Sequence, residues 1–341
     1  MATSGSTGSP KYVRLTLLNL ESNAGSIARY LNISRDDRPV TSLPIHYSYG
    51  LSVLNSHLRV GATVLLTSLS VTNRRFWEFF NESCCTSMAG VPYTYEMLRQ
   101  LRFENMTLPT LRYMTQAGGR LSPELAVVFA ENSRERGYEF YLMYGQTEAT
   151  ARMAYLAPAK NMLKPASVGS AIPGGQMLIV DAEGRLVDKP CVEGQIVYKG
   201  ENVMMGYAAA RDDLGKGDEL HGVLHTGDTG RFDEDGDFYI TGRLRRFIKL
   251  LGRRVNLDDL EAYLATSGLG VACGGKDDLL LVATTEPARD EAIKRQLLAS
   301  FKITPNLVRI VHVDRLSRNA SGKINYGELF LRVLKGASNG G

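Results

Sequence analysis

The feature that most constrains this chain is a change of rhythm along it. In its first part, strand-like and helix-like segments alternate. Residues 60–66 (VGATVLL) read as a buried strand, and residues 73–82 as a short amphipathic helix. Ser122-Pro123-Glu124 opens a further helix, with serine as cap and proline in the first turn. That helix should run to about Arg136, where Gly137 can take the left-handed closing conformation. Residues 139–143 then read as a strand. Such βαβ alternation predicts an α/β fold. From Ser167 to Gly242 the sequence turns to glycine and short β-like runs, at residues 177–180, 194–198, 230–232 and 238–241. These predict an antiparallel β region.

After Gly242 comes a dense basic stretch, Arg243, Arg245, Arg246, Lys249, Arg253 and Arg254. We place a domain boundary there. Residues 1–243 are expected to form the large domain. Residues 244–336 are expected to form a small, mobile α+β C-terminal domain, with a loose tail at 337–341. The small part carries its own βαβ pattern: strand 279–284, helix 289–301 and strand 308–313. A length of 341 residues suffices for two domains.

Hydrophobic residues at 44% and charged residues at 22% are globular proportions. A net charge of +4 is too mild to imply nucleic acid as a partner. The four cysteines, Cys84, Cys85, Cys191 and Cys273, form no C-x-x-C pair, and two are adjacent. That suits neither a zinc site nor a disulfide framework and predicts reduced thiols in a cytoplasmic protein. No apolar run approaches the roughly 20 residues of a membrane helix, and the start of the chain has no signal-peptide pattern.

Five segments carry the chemistry. In the first, Thr3, Ser4, Gly5, Ser6, Thr7, Gly8, Ser9, Pro10 and Lys11 combine small residues, hydroxyls and a cation. They form either a phosphate cradle or a disordered leader, and the common P-loop spacing is absent. The second, Tyr144-Gly145-Gln146-Thr147-Glu148, follows a predicted strand, where α/β folds collect ligands. Its ring, hydroxyl and carboxylate could serve a base, a phosphate and Mg²⁺. The third is His225-Thr226-Gly227-Asp228, where an aspartate on a glycine turn could accept two ribose hydroxyls. Residues 233–237 (DEDGD) are too short for an EF-hand loop and read as a hairpin turn. The fourth runs from Arg243 through Lys249, Gly252 and Val255, and the fifth is Ser321-Gly322-Lys323. Each alone also fits an ordinary basic face or surface loop.

Taken in order and spacing, these segments resemble the adenylate-forming superfamily of acyl- and aryl-CoA synthetases, peptide-synthetase adenylation domains and firefly luciferases. The resemblance covers nearly the whole chain, and it adds Leu43-Pro44-Ile45-His46 and Ala117-Gly118-Gly119. It implies that Thr3 to Lys11 hold the β- and γ-phosphates of ATP, and that Tyr144 packs on adenine beside Gly118, Gly119 and Gly145. Thr147 would touch the α-phosphate, Glu148 would bind Mg²⁺, and Asp228 and Arg243 would hold the ribose. Lys323 would bridge the carboxylate and the α-phosphate, and His46 would border the acyl pocket. Arg245 would occupy the hinge. Lys249 and the Gly252 loop would replace Lys323 at the site for the second half-reaction.

The implied activity is conversion of a small carboxylic acid to acyl-AMP, then transfer to a thiol of CoA or of a pantetheinyl carrier protein. A non-catalytic nucleotide-binding protein and a luciferase-type oxidative enzyme are the rival classes. Aligning Gly61-Ala62 on the family pattern puts Ser48 near the position where amino-acid-activating members carry an aspartate. With Tyr47, Tyr49 and Val91 nearby, an aryl or aliphatic acid is expected rather than an α-amino acid.

Three departures stand out. Tyr12 replaces the glycine that usually follows the loop lysine, and Arg245 and Arg246 replace the common hinge acids. Only Met1 and Ala2 precede Thr3, where relatives carry well over a hundred residues. The expectation is therefore that an N-terminal complementing segment supplies part of the large domain.

Overall fold

The computed structural model describes Met1 and residues 12–244, 246–318, 323–327 and 329–330, with Arg254 described in its backbone only. The segment from Thr3 to Lys11, the hinge position Arg245, Ser321, Gly322 and the 337–341 tail lie outside the described residues.

A five-stranded sheet forms the centre of the first part. Ser87–Gly90, Tyr113–Gln116 and Glu139–Tyr144 run parallel, and Ala154–Leu156 and Ser170–Ala171 continue the sheet antiparallel. The pleat explains its two-sided burial. Met114, Phe140 and Leu142 enter one core, with Phe76, Phe80, Leu98 and Phe129 from the helices Arg74–Glu82, Pro92–Gln100 and Pro123–Arg136. Tyr113, Tyr141 and Met143 face the other side. There they meet Ile27 from Leu17–Tyr30, and Tyr49 and Val53 from Ser48–Arg59. Helices on both faces of a parallel sheet are the expected α/β arrangement.

The helix Pro123–Arg136 begins and ends where its sequence says. The Ser122 hydroxyl accepts from the Leu125 N–H at 3.2 Å, and Gly137 closes it at φ 76°. The strand expected over residues 60–66 is a correction. Val60 caps the helix Ser48–Arg59, and Gly61, at φ 76°, ends it by donating to Leu58 O. The helix thus consumes the start of that apolar run. What remains is one parallel bridge between Val40 and Leu65, at the sheet edge where Pro39 also bridges Ser87.

The glycine-rich middle forms a four-stranded antiparallel sheet ordered Phe238–Arg243, Val223–Phe232, Gly194–Gly200, Gly175–Val180. Its Asp233–Asp237 turn is the predicted hairpin. The three aspartates at positions 233, 235 and 237 close around the Lys164 ammonium at 2.6–2.7 Å. Against a desolvation cost, those carboxylates hold the lysine well above its ordinary pKa.

Beyond Arg243 lie the hairpin Phe247–Leu250 with Arg253–Asn256, the helix Leu257–Thr266 and a three-stranded sheet of Val271–Lys276, Leu279–Thr284 and Val308–His312. The helix Asp290–Phe301 packs on it. These elements bury Ile248, Leu260, Val282, Ile293 and Leu297 together, a core with no member from the first part. That segregation supports the proposed division after residue 243. All four cysteines are free. No helix among the described residues is long and apolar enough to cross a membrane.

Candidate active site

The parallel strands end on one rim, and the loops that leave it carry most of the motif residues. Val91 follows Ser87–Gly90, Ala117-Gly118-Gly119 follows Tyr113–Gln116, and Gly145 to Glu148 follow Glu139–Tyr144. Two of these glycines are there because nothing larger fits. A Cβ on Gly118 (φ 85°) would come 2.5 Å from the Tyr47 hydroxyl and 3.1 Å from Val91 Cγ1. A Cβ on Gly145 would overlap the Ala151 carbonyl. The return to Ala151 is strained, since Thr150 and Ala151 both have positive φ, at 61° and 116°.

Asp228 is the electrostatic centre. It is buried at 3% exposure and held on both oxygens. Oδ2 accepts from the Tyr144 hydroxyl at 2.6 Å and from Gln146 Nε2 at 2.7 Å, and Oδ1 meets Arg243 Nε at 3.0 Å. Asp228 and Arg243 are register partners on neighbouring strands, so the antiparallel ladder itself sets their approach. Register shifts on both sides of Val223–Phe232 and the positive φ of Gly227 turn Asp228 out of plain strand geometry. Burial, then the charge of Asp228, pushes the Tyr144 phenol far above its usual range, so it stays a donor. The expected ring packing of Tyr144 is therefore joined by a hydroxyl role that the motif alone did not reveal.

Thr147 and Glu148 sit on the short turn Thr147–Ala149. Thr147 Oγ1 lies 3.0 Å from Ser48 Oγ, and Glu148 Oε1 accepts from the Tyr207 hydroxyl at 2.9 Å. Tyr207 stands on Gly206–Ala208, which pairs with Tyr12–Arg14. Met1 and Val13 exchange backbone hydrogen bonds at 2.6 and 2.9 Å, so the two ends flanking the glycine/serine segment meet beside this rim. An oriented carboxylate with hard oxygen donors fits Mg²⁺.

Lys323 arrives from the far end of the chain. An antiparallel bridge joins Arg318 to Ile324, and Asn325 N–H donates to Ser317 O, which makes a hairpin of the segment. Arg318 lies 3.6 Å from Glu96 and over the Tyr93 ring at 5.1 Å, tying this hairpin to the helix Pro92–Gln100. The Lys323 ammonium is held below the ordinary lysine pKa, first by burial and then by Arg243, while Asp228 and Glu148 oppose the shift. The structure thus brings Lys323, Arg243, Asp228 and Glu148 into one charge group.

Other expected site residues are placed elsewhere. His46 is exposed on the turn before Ser48–Arg59. Gly119, on the rim loop after Tyr113–Gln116, borders Pro92, where a Cβ would press on Cγ at 3.1 Å. Lys249 and Gly252 belong to a hairpin braced by Asp277 and Asp278, where Lys249 N–H donates to Asp277 at 2.9 Å and Leu251 N–H to Asp278 at 2.7 Å. Arg246, beside the expected hinge position, is engaged within the C-terminal unit. It pairs with Asp258 and, at 2.6 Å, with Glu261, and it lies over Tyr326 at 3.9 Å. Gln146, Tyr207 and Arg318 are the partners that motif reading missed, because they act through contacts distant in sequence.

Residues 1–208 match a family model described as AMP-binding enzyme. The chain is 30% identical over 341 residues to an oxalate–CoA ligase of Arabidopsis thaliana, covering 94% of this chain and 65% of that protein. It is 30% identical over 336 residues to a 2-succinylbenzoate–CoA ligase of Bacillus pumilus, covering 95% of this chain and 66% of that protein. The chain therefore spans about two thirds of the length of these relatives. Among solved structures, it superposes on the o-succinylbenzoate CoA synthetase of Bacillus subtilis in complex with an acyl-adenylate, with a TM-score of 0.79 and 27% identity. That match covers 96% of this chain and 68% of the other.

Proposed function

The chain belongs to the AMP-binding enzyme family, and on that premise we propose that it is an AMP-forming acid–thiol ligase. It activates a small carboxylic acid as acyl-AMP and passes the acyl group to a thiol, that of CoA. The observation that carries this reading is the convergence of Lys323 with Arg243, Asp228 and Glu148. A carboxylate attacking the α-phosphate of ATP gathers negative charge on the phosphoryl oxygens. Two cations fixed in a half-buried site oppose that charge without reorganising, which is electrostatic and positional catalysis. Asp228, already satisfied on both oxygens, offers a fixed acceptor edge to the ribose. Thr147 presents its hydroxyl to the α-phosphate. Glu148, oriented by Tyr207, holds Mg²⁺, which supplies charge neutralisation on the nucleotide phosphates. The segment from Thr3 to Lys11 takes the β- and γ-phosphates.

The Arg318 contact with Glu96 favours reading Lys323 as docked for adenylation. The hairpin of Lys249 and Gly252 is reserved for the thiol step. Ser48 on Thr147 leaves no acid where an ammonium would need one, which favours acids without an α-amino group. ATP–pyrophosphate exchange against a panel of aliphatic, aryl and amino acids tests the reading. Acid-dependent exchange supports it. Nucleotide binding without exchange for any acid, with every segment of the protein present, removes it.

A further inference from the structure

One charge in the sheet region has no part in the chemistry above. Arg152 is buried at 2% exposure, yet no carboxylate pairs with it among the described residues. Its Nε donates to Ser52 Oγ at 3.2 Å, and Nη1 to the Tyr30 hydroxyl at 3.1 Å. The guanidinium lies over the Tyr49 ring at 5.1 Å. Nη2 makes no hydrogen bond among the described residues.

Every neighbour that could offer a negative charge is neutral. Burial pushes the Tyr30, Tyr49 and Tyr113 phenols above their usual range. Asp37, which acts with Arg152 on the Tyr113 hydroxyl, is committed to Arg112 at 2.9 Å. A buried cation without a counter-charge is among the costliest arrangements in a protein. The backbone at this position has its own role, since the Arg152 carbonyl accepts from Asn23 and Asn202. Any side chain would keep those bonds, so they do not explain a guanidinium.

The location supplies a reason. Ser48 and Ser52 stand one turn apart on the same face of Ser48–Arg59. Ser48 meets Thr147, the residue assigned to the reacting end, and Ser52 meets Arg152. One helical turn is about 5–6 Å, the reach of a short acyl chain.

We infer that Arg152 receives a second carboxylate on the acid, so that the substrate is a short dicarboxylate activated at one end and anchored at the other. The inference rests on the adenylate-forming reading. A guanidinium fork matches a carboxylate on two donors, and Nη2 is available for one of them.

The test uses equilibrium binding of two stable adenylate mimics to the full chain. Both are N-acylsulfamoyl adenosines. One carries a succinyl tail, the other a 4-oxopentanoyl tail in which an acetyl group replaces the distal carboxylate. The succinyl mimic should bind at least about tenfold more tightly, the range for a charge-assisted hydrogen bond. Arg152→Met should erase that preference by weakening the succinyl mimic alone. Equal binding of the two tails to the unmutated protein overturns the inference, and so does an equal loss of both in Arg152→Met. Should that variant not fold, the comparison on the unmutated chain decides. If neither mimic binds, the adenylate reading itself falls, and this inference with it.

Discussion

On the proposed reading, the sheet region and the C-terminal unit contribute to one site in opposite ways. In the sheet region the functional groups are bonded before any ligand arrives. Asp228 has three side-chain partners, Thr147 has Ser48, and Glu148 has Tyr207. In the C-terminal unit, Lys323 stands on a hairpin whose named ties to the sheet region are Arg318 on Glu96 and Tyr93. Within its own unit that hairpin is firmly held, because Tyr326 donates to Glu261, which also binds Arg246 and the Cys273 N–H. The difference suggests a division of labour in which one region is shaped for binding and the other delivers a single charge.

Removing that delivered charge gives the largest effect. Lys323→Ala should slow adenylate formation at least about a hundredfold, the usual cost of losing a transition-state donor. Thioester formation from supplied acyl-AMP should persist. Rates of the two half-reactions measured separately check this, and equal loss in both would show that Lys323 is no dedicated adenylation group.

The sheet region has an acid weakness. His57 lies buried there, its Nδ1–H on Val53 O and its Nε2 accepting from Tyr113 at 2.8 Å. Burial first, with Arg152 assisting, lowers its pKa from 6.5 to about 4. Between those values the unfolded chain takes up a proton that the folded chain refuses. Stability is therefore full above pH 6.5 and falls as pH drops toward 4, by about 2–3 kcal/mol. Denaturant titrations across that window should show the slope, and His57→Gln should flatten it. An unchanged slope would mean that other groups set the acid limit.

Asp228→Asn should raise the KM for ATP about ten- to thirtyfold with a smaller change in kcat, since a neutral amide loses the Arg243 pair. A purely kcat defect would place Asp228 in the chemistry rather than in binding. Arg318→Ala should cost adenylation about threefold, as a partly exposed ion pair is worth little. A much larger loss would make the docking contact, not the lysine, the sensitive link between the two regions.

Much of this was readable in the sequence where the signal is local. The Ser122 cap, Pro123 and the Gly137 stop bound a helix whose ends the structure reproduces. The short runs between Gly175 and Arg243 became strands because their alternation matches a half-buried sheet. The run at residues 60–66 misled because Gly61 serves the preceding helix, a role that β-branched neighbours conceal. The proposed site residues were legible as motif members, but their partners were not. Tyr207 reaches Glu148 across 59 positions, and Ser52 reaches Arg152 across 100. No spacing rule encodes such pairs. A buried arginine reads in sequence like any other surface cation until its surroundings are known.

The Lys164 ammonium inside the Asp233–Asp237 turn has a practical consequence. Those three carboxylates are the triad among the described residues with the spacing to seize a divalent ion, and they carry an internal counter-ion instead. A chelating agent should therefore find no resident ion to extract at this turn. Adding EDTA should silence turnover by stripping the nucleotide of its magnesium while the melting temperature of the unliganded protein stays where it was. On the proposed reading, metal dependence travels with the nucleotide and not with the Asp233–Asp237 turn.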